Sequence, residues 1–175
     1  PKEKWANGVI KYLKEIDDQA IVLLLEDYWL TRKVNKEAIH ILASLIKNDD
    51  SLIRIDLTND RLYTGGMRDV GYIEWLDMVE APKSAYQMSL QAGIWHRKNL
   101  LSILEQLPPN ERSSWNVELI GTGILNNSTD LRVLGTRQYP VRYENGVNAR
   151  DGINKELKTM SDRDKKIIAK WIKEK

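Results

Sequence analysis

Ile21-Val22-Leu23-Leu24-Leu25-Glu26-Asp27 contains the longest apolar run in the chain, and it stops abruptly on two carboxylates. Five consecutive aliphatic side chains show no alternation, so the run predicts a strand buried on both faces, as in the interior of a parallel sheet. The run is far too short to cross a bilayer, which takes about 20 apolar residues. The N-terminal residues also lack the apolar segment of a secretory signal.

Outward from that run the pattern is rhythmic. Upstream, Trp5, Val9, Tyr12, Leu13 and Ile16 recur at helical spacing with lysines between them, which predicts an amphipathic helix ending near Asp17-Asp18. Downstream, Asn35 is placed to cap a helix reaching about Ile46, with Glu37 in its first turn and Ala38, Ile39, Leu42, Leu45 and Ile46 apolar. Asn48-Asp49-Asp50 turns the chain into a second strand over 52–57, apolar at 53, 55 and 57. Helix, strand, helix, strand is the rhythm of an α/β fold with a sheet flanked by helices.

Beyond residue 57 the signals become irregular. Residues 58–71, with Asn59, Asp60, Gly65 and Gly66, read as a long surface loop. A strand over 73–80 is broken by Pro82, and a helix over 97–107 is stopped by Pro108-Pro109. Ser113 or Ser114 caps a short helix that Gly121 and Gly123 are expected to end. Short strands follow over 131–134 and 139–143, then a turn at Asn145-Gly146. A last helix, about 161–174, begins on acidic residues and ends on lysines, matching the helix dipole. No repeat or linker divides the 175 residues, so a single domain is expected.

Composition removes several kinds of chemistry. There is no cysteine, which excludes disulfides, thiol nucleophiles and cysteine-based metal sites and fits a reducing, cytoplasmic compartment. The two histidines, His40 and His96, lie far apart in different local patterns, so a multi-histidine metal site is excluded as well. His96 reads as a surface residue at a helix start and His40 as an ordinary helix residue. Lys and Arg number 27 against 25 Asp and Glu, a net charge of +2 that gives no electrostatic drive toward nucleic acid. Lys165, Lys166, Lys170, Lys173 and Lys175 form a basic terminal helix, more simply a solvated one than a nucleic-acid contact.

Three stretches are able to carry chemistry. Glu26 and Asp27 sit where ligands bind in open α/β sheets, beyond the carboxyl end of a strand. Adjacent carboxylates there suit Mg²⁺ or Mn²⁺ bridging to phosphates, although acidic residues also simply solvate a strand end. Trp115-Asn116-Val117-Glu118 followed by Gly121-Thr122-Gly123 sets a carboxylate beside an aromatic ring, as a general base in a partly apolar pocket requires. The plainer alternative is an amphipathic turn with Trp115 in the core and Glu118 in solvent. Finally, residues 86–95 alternate, with Gln87, Ser89 and Gln91 on one side and Met88 and Leu90 on the other. Amides and hydroxyls on one face suit sugar hydroxyls, and Trp95 suits stacking on a pyranose; an ordinary exposed strand face fits equally well.

The order of these motifs, Leu-Leu-Leu-Glu-Asp-Tyr-Trp-Leu over 23–30, Ser-Leu-Gln-Ala-Gly-Ile-Trp over 89–95, then Trp115-Asn116-Val117-Glu118, resembles glycosyltransferases of the GT-A fold of bacterial or phage type. The resemblance runs over residues 20–148 and implies a GT-A-like, Rossmann-like mixed sheet flanked by helices. It implies Asp27 and Glu26 as the site for Mn²⁺ or Mg²⁺ and the diphosphate of a nucleotide-sugar donor. Glu118 becomes the base that deprotonates an acceptor hydroxyl, and Gln87, Gln91, Trp95 and Trp115 line the pocket for a glycan or other acceptor. Tyr143 and Arg150 fall in the late segment that closes over the diphosphate, where Arg150 would neutralise phosphate charge.

Two departures stand out. The usual Asp-x-Asp is Glu26-Asp27-Tyr28, and only one helix precedes the motif-bearing strand where the family has a nucleotide-binding front half. A partial fold of this kind would leave a sheet edge open to a partner chain or a second copy. The competing expectation is a non-catalytic carbohydrate- or protein-binding module derived from the same fold.

Overall fold

The computed structural model describes residues 4–25 and 28–145. Among them, helix α1 (Trp5–Glu15) leads into strand β1 (Ala20–Leu23), followed by a short β2 (Tyr28–Leu30). Next come α2 (Lys36–Asn48), β3 (Leu52–Asp56), the single turn α3 (Asp60–Tyr63) and a hairpin of β4 (Arg68–Ile73) and β5 (Leu76–Glu80). After an irregular stretch, β6 (Gly93–His96) and α4 (Arg97–Gln106) precede α5 (Ser114–Asn127), β7 (Arg132–Thr136) and β8 (Tyr143–Asn145). Six strands form one mixed sheet in the order β1-β6-β3-β7-β5-β4. β3 and β7 run parallel, and the other pairings in this sheet are antiparallel.

Helices cover both faces. On one, α1, α4 and α5 bury Leu13, Leu104 and Val117 against Ile53, Trp95 and Val133 of the sheet. On the other, α2 sets Ala38, Leu42 and Ile46 over Ile55, Ile94 and Leu134. Caps fix where these helices begin. Asn35 Oδ1 accepts from the Ala38 N–H at 3.1 Å, and Ser113 Oγ accepts from the Asn116 N–H at 3.2 Å, each satisfying a donor the first turn leaves open.

Several expectations change. β1 is an edge strand and pairs antiparallel with β6, so it is neither interior nor parallel. Its unbroken apolar run conceals an alternation: Ile21, Leu23 and Leu25 pack on the core while Val22 and Leu24 are about half exposed. The stretch expected as a surface loop holds α3, whose Arg61 is fully buried, and most of β4. α5 continues through both Gly121 and Gly123 to Asn127. Gly121 is used for close packing, because a Cβ there would stand 3.3 Å from Met88 Cγ. The strand expected over 139–143 is realised only at its end, where β8 pairs with β2. The terminal helix and the turn at Asn145-Gly146 lie outside or at the limit of the described residues.

Candidate functional site

The carboxyl ends of β1 and β3 meet the start of β6, where Gly93 stands opposite both Leu23 and Asp56. The chain leaves this end of the sheet toward Glu26 and Asp27, which, like Arg150, lie outside the described residues. Tyr28 is tied back to it, since Gln91 Nε2 donates to the Tyr28 hydroxyl at 2.6 Å. The main chain of Tyr143 pairs with that of Leu30 in the small β2–β8 sheet; the rest of the late segment, through Arg150, lies outside the described residues.

Beneath this end lies a buried charge cluster. Arg54 and Asp56, two apart on β3, share one face of the sheet. Arg54 Nη1 is 2.7 Å from Asp56 Oδ1, and Arg61 Nε donates to Asp56 Oδ2 at 2.8 Å, with all three side chains at most 1% exposed. Two sheet glycines make the room. A Cβ on Gly93 would fall 2.8 Å from Arg54 Nε, and one on Gly135 would fall 2.7 Å from Arg61 Cβ. The Arg54 guanidinium also lies 5.1 Å from the centroid of the Trp95 ring. Arg61 Nη1 goes on to donate to Ser84 Oγ at 3.1 Å and to Gln87 Oε1 at 3.0 Å. Half-buried Asp60 accepts from Ser89 Oγ at 3.2 Å. Burial raises the Asp60 carboxyl above the usual carboxylate range, and the neighbouring Asp56 charge adds to the rise.

Residues 81–92 cross this region without forming a strand or helix, and side chains of α5 hold them. Glu118 Oε1 accepts from the Leu90 N–H at 2.7 Å, and Thr122 Oγ1 from the Met88 N–H at 3.0 Å. Asn126 Nδ2 donates to the Ser84 carbonyl at 3.3 Å. Positions 118, 122 and 126 follow at four-residue spacing, one stripe of the helix. The alternation read from the sequence survives without a strand: Met88 and Leu90 enter the core, while Gln87, Ser89 and Gln91 join the polar network.

Glu118, Gln87 and Gln91 are therefore gathered at one end of the sheet. Trp115 is 60% exposed and Glu118 half-buried, the reverse of the amphipathic turn offered as the plain alternative. Trp95 is wholly buried and presents no ring face to a sugar, and Gln87 spends its amide on Arg61 and the Ala81 carbonyl. His96 does begin a helix but is buried; its Nδ1 accepts from the Asn99 N–H at 3.4 Å. His40 is exposed on α2.

Arg54, Asp56, Asp60 and Arg61 were not singled out from the sequence. The available signal was Arg54-Ile55-Asp56-Leu57, where apolar alternation forces two opposite charges onto one buried face. The residues expected to hold a divalent cation, Glu26 and Asp27, lie outside the described residues. Among those described, no three His, Asp or Glu side chains gather as a metal site would need. No described helix is long and apolar enough to cross a membrane. Compared with protein-family models, with curated proteins and with solved structures, the chain finds no match.

Proposed function

We propose that this chain is a glycosyltransferase, or the catalytic portion of one, that moves a sugar from a nucleotide-diphosphate donor to an acceptor hydroxyl. The observation that carries the proposal is the setting of Glu118. One carboxylate oxygen is fixed on the Leu90 N–H, and the other has no partner among the described residues, at the end of the sheet where β1 runs out toward Glu26 and Asp27. A carboxylate oriented by one oxygen and open at the other is suited to accept a proton.

In the proposed reaction Glu118 removes the acceptor's hydroxyl proton as that oxygen attacks the anomeric carbon. The new glycosidic bond forms, the bond from the anomeric carbon to the donor phosphate breaks, and the diphosphate leaves with the bonding pair. Glu118 holds the proton until it passes to solvent. Glu26, Asp27 and Arg150 are the residues that would hold a divalent cation and the diphosphate, where the cation would offset the leaving group's charge. Trp115, exposed and one turn ahead of Glu118, offers an apolar face to a sugar ring. Gln91, anchored on Tyr28, offers its amide carbonyl to hydroxyls.

Glu118→Gln tests the role, because a glutamine carbonyl still accepts from Leu90 while losing the basic oxygen. Transfer should fall by about 10²–10⁴-fold with nucleotide diphosphate binding retained. Undiminished turnover would refute the assignment. A second possibility, a non-catalytic carbohydrate- or protein-binding module, is favoured by the burial of Trp95 and Gln87. Hydrolysis of uridine-, guanosine-, cytidine- and thymidine-diphosphate sugars with Mn²⁺ separates the two, since a binding module hydrolyses none of them.

A further inference from the structure

A second polar cleft, of about 520 Å³, opens on the other side of Gln87, between the end of α5, the β5 and β7 strands and the start of the irregular segment. At its base sits Glu80, only 6% exposed in its side chain and gripped by two arginines. Arg68 donates to Oε2 through Nε at 3.2 Å and Nη2 at 2.8 Å, and Arg132 Nε donates to Oε1 at 2.8 Å. Burial pushes the Glu80 carboxyl up, but the hydrogen bonds from Arg132 and Arg68 outweigh it and hold the group below its ordinary value. Glu80 is therefore a fixed anion that orients both guanidinium planes.

This arrangement leaves cationic donors over. Arg132 retains both terminal nitrogens, and Arg68 retains Nη1, with no partner among the described residues. Lys83 stands exposed on the same rim with a backbone φ of +55°, a left-handed conformation that a lysine adopts only at some cost. Three cations and one carboxylate thus line the cleft. The opposite wall is neutral and polar, formed by the amide of Asn127 and the hydroxyl of Ser128 where α5 ends.

We propose that this cleft binds an oxyanion carried on a polyol, as in a phosphorylated sugar or a hexuronate. The oxyanion would lie across Arg132, Arg68 and Lys83, since guanidinium forks match the paired oxygens of phosphate and carboxylate. The polyol hydroxyls would face Asn127, Ser128 and the open carbonyls at the end of α5. The site uses neither Glu118 nor the acidic pair, so it stands independently of sugar transfer.

Calorimetric titration of the whole chain with glucose 6-phosphate, glucuronate, inorganic phosphate and glucose tests it. At least one sugar anion should bind more tightly than inorganic phosphate, glucose should not bind, and raised salt should weaken the complex. Glucose 6-phosphate alone would identify the phosphorylated sugar and glucuronate alone the uronate; either supports the site. Arg132→Gln should weaken binding about tenfold or more, as expected for a lost hydrogen bond to a charged group. Lys83→Asn, which tolerates the left-handed backbone and touches no buried group, should weaken it several-fold with an unchanged melting temperature. The proposal is overturned if neither sugar anion binds or if inorganic phosphate binds at least as tightly as the tighter of the two. Affinity unchanged from the parent chain in both variants would overturn it too.

Discussion

Asp56→Asn removes a charge shared by two buried guanidinium groups while keeping the volume of the side chain. Its carboxylate is wholly buried, with Arg54 at 2.7 Å and Arg61 at 2.8 Å. Breaking a buried pair by deleting one partner costs about 3–5 kcal/mol, because the remaining charge stays desolvated. Here the carboxylate is shared by two guanidinium groups, so the upper part of that range is expected. In urea, with a slope of about 2 kcal/mol/M, the midpoint should fall by about 2–2.5 M. Tryptophan emission is a suitable probe because the Trp95 ring lies against Arg54. Asp69→Asn is the control: its pair with Arg137 is exposed on both sides and should contribute under about 1 kcal/mol. Gly135→Ala should also destabilise, since the new Cβ would displace Arg61, and combining it with Asp56→Asn should cost less than the sum. If Asp56→Asn proves no more costly than Asp69→Asn, the buried cluster does not hold the fold together as argued.

Other outcomes follow from the same geometry. The Asp60 carboxyl is raised by burial and by Asp56, so its contribution to stability is full below pH 3.8 and is lost as pH rises through its folded value. Asp60→Asn should therefore stabilise the protein at neutral pH and not at acid pH, as read by urea midpoints at both. Burial lowers the His96 value despite the Asp50 charge that opposes it. Stability tied to neutral His96 is present above pH 6.5 and is lost as pH falls through the folded value; an imidazole titration by NMR should give a midpoint below 6.5. A midpoint at or above that value would contradict the packing described. Asn35→Ala should cost about 1 kcal/mol through loss of the α2 cap, measurable as a shifted urea midpoint.

The elements whose signals are local were legible in the sequence. α1, α2, β3 and α4 carry their own periodicity, caps or proline stops, and they form within a residue or two of the expected bounds. What required the third dimension was the use of each signal. Five aliphatic residues in a row look the same at an edge as in the interior, because Val22 and Leu24 are apolar whether or not anything covers them. Gly121 looks like a helix stop and is instead the hollow that receives Met88. The candidate site was half legible for a related reason. Glu118 and Gln91 were found as polar residues in suggestive company, whereas Arg61 sits in a stretch of turn-forming residues that gives no hint of burial. Its place depends on Gly135, 74 positions later, and no local pattern spans that distance.

The stripe of Glu118, Thr122 and Asn126 has a consequence for how this protein opens. The Met88 and Leu90 amides bond to side chains of a helix and not to a neighbouring strand, so their protection from hydrogen exchange lasts only while α5 stays docked. Lifting α5 would release the Met88 and Leu90 amides together, while the bonds of Ser84, Gln87 and Ser89 to Arg61 and Asp60 and the pairings of β3 with β6 and β7 do not involve that helix. Helix and segment are thus coupled, and exchange at these two amides reports on the docking of α5. Any motion of α5 that admits a ligand to this end of the sheet would therefore register at the Met88 and Leu90 amides.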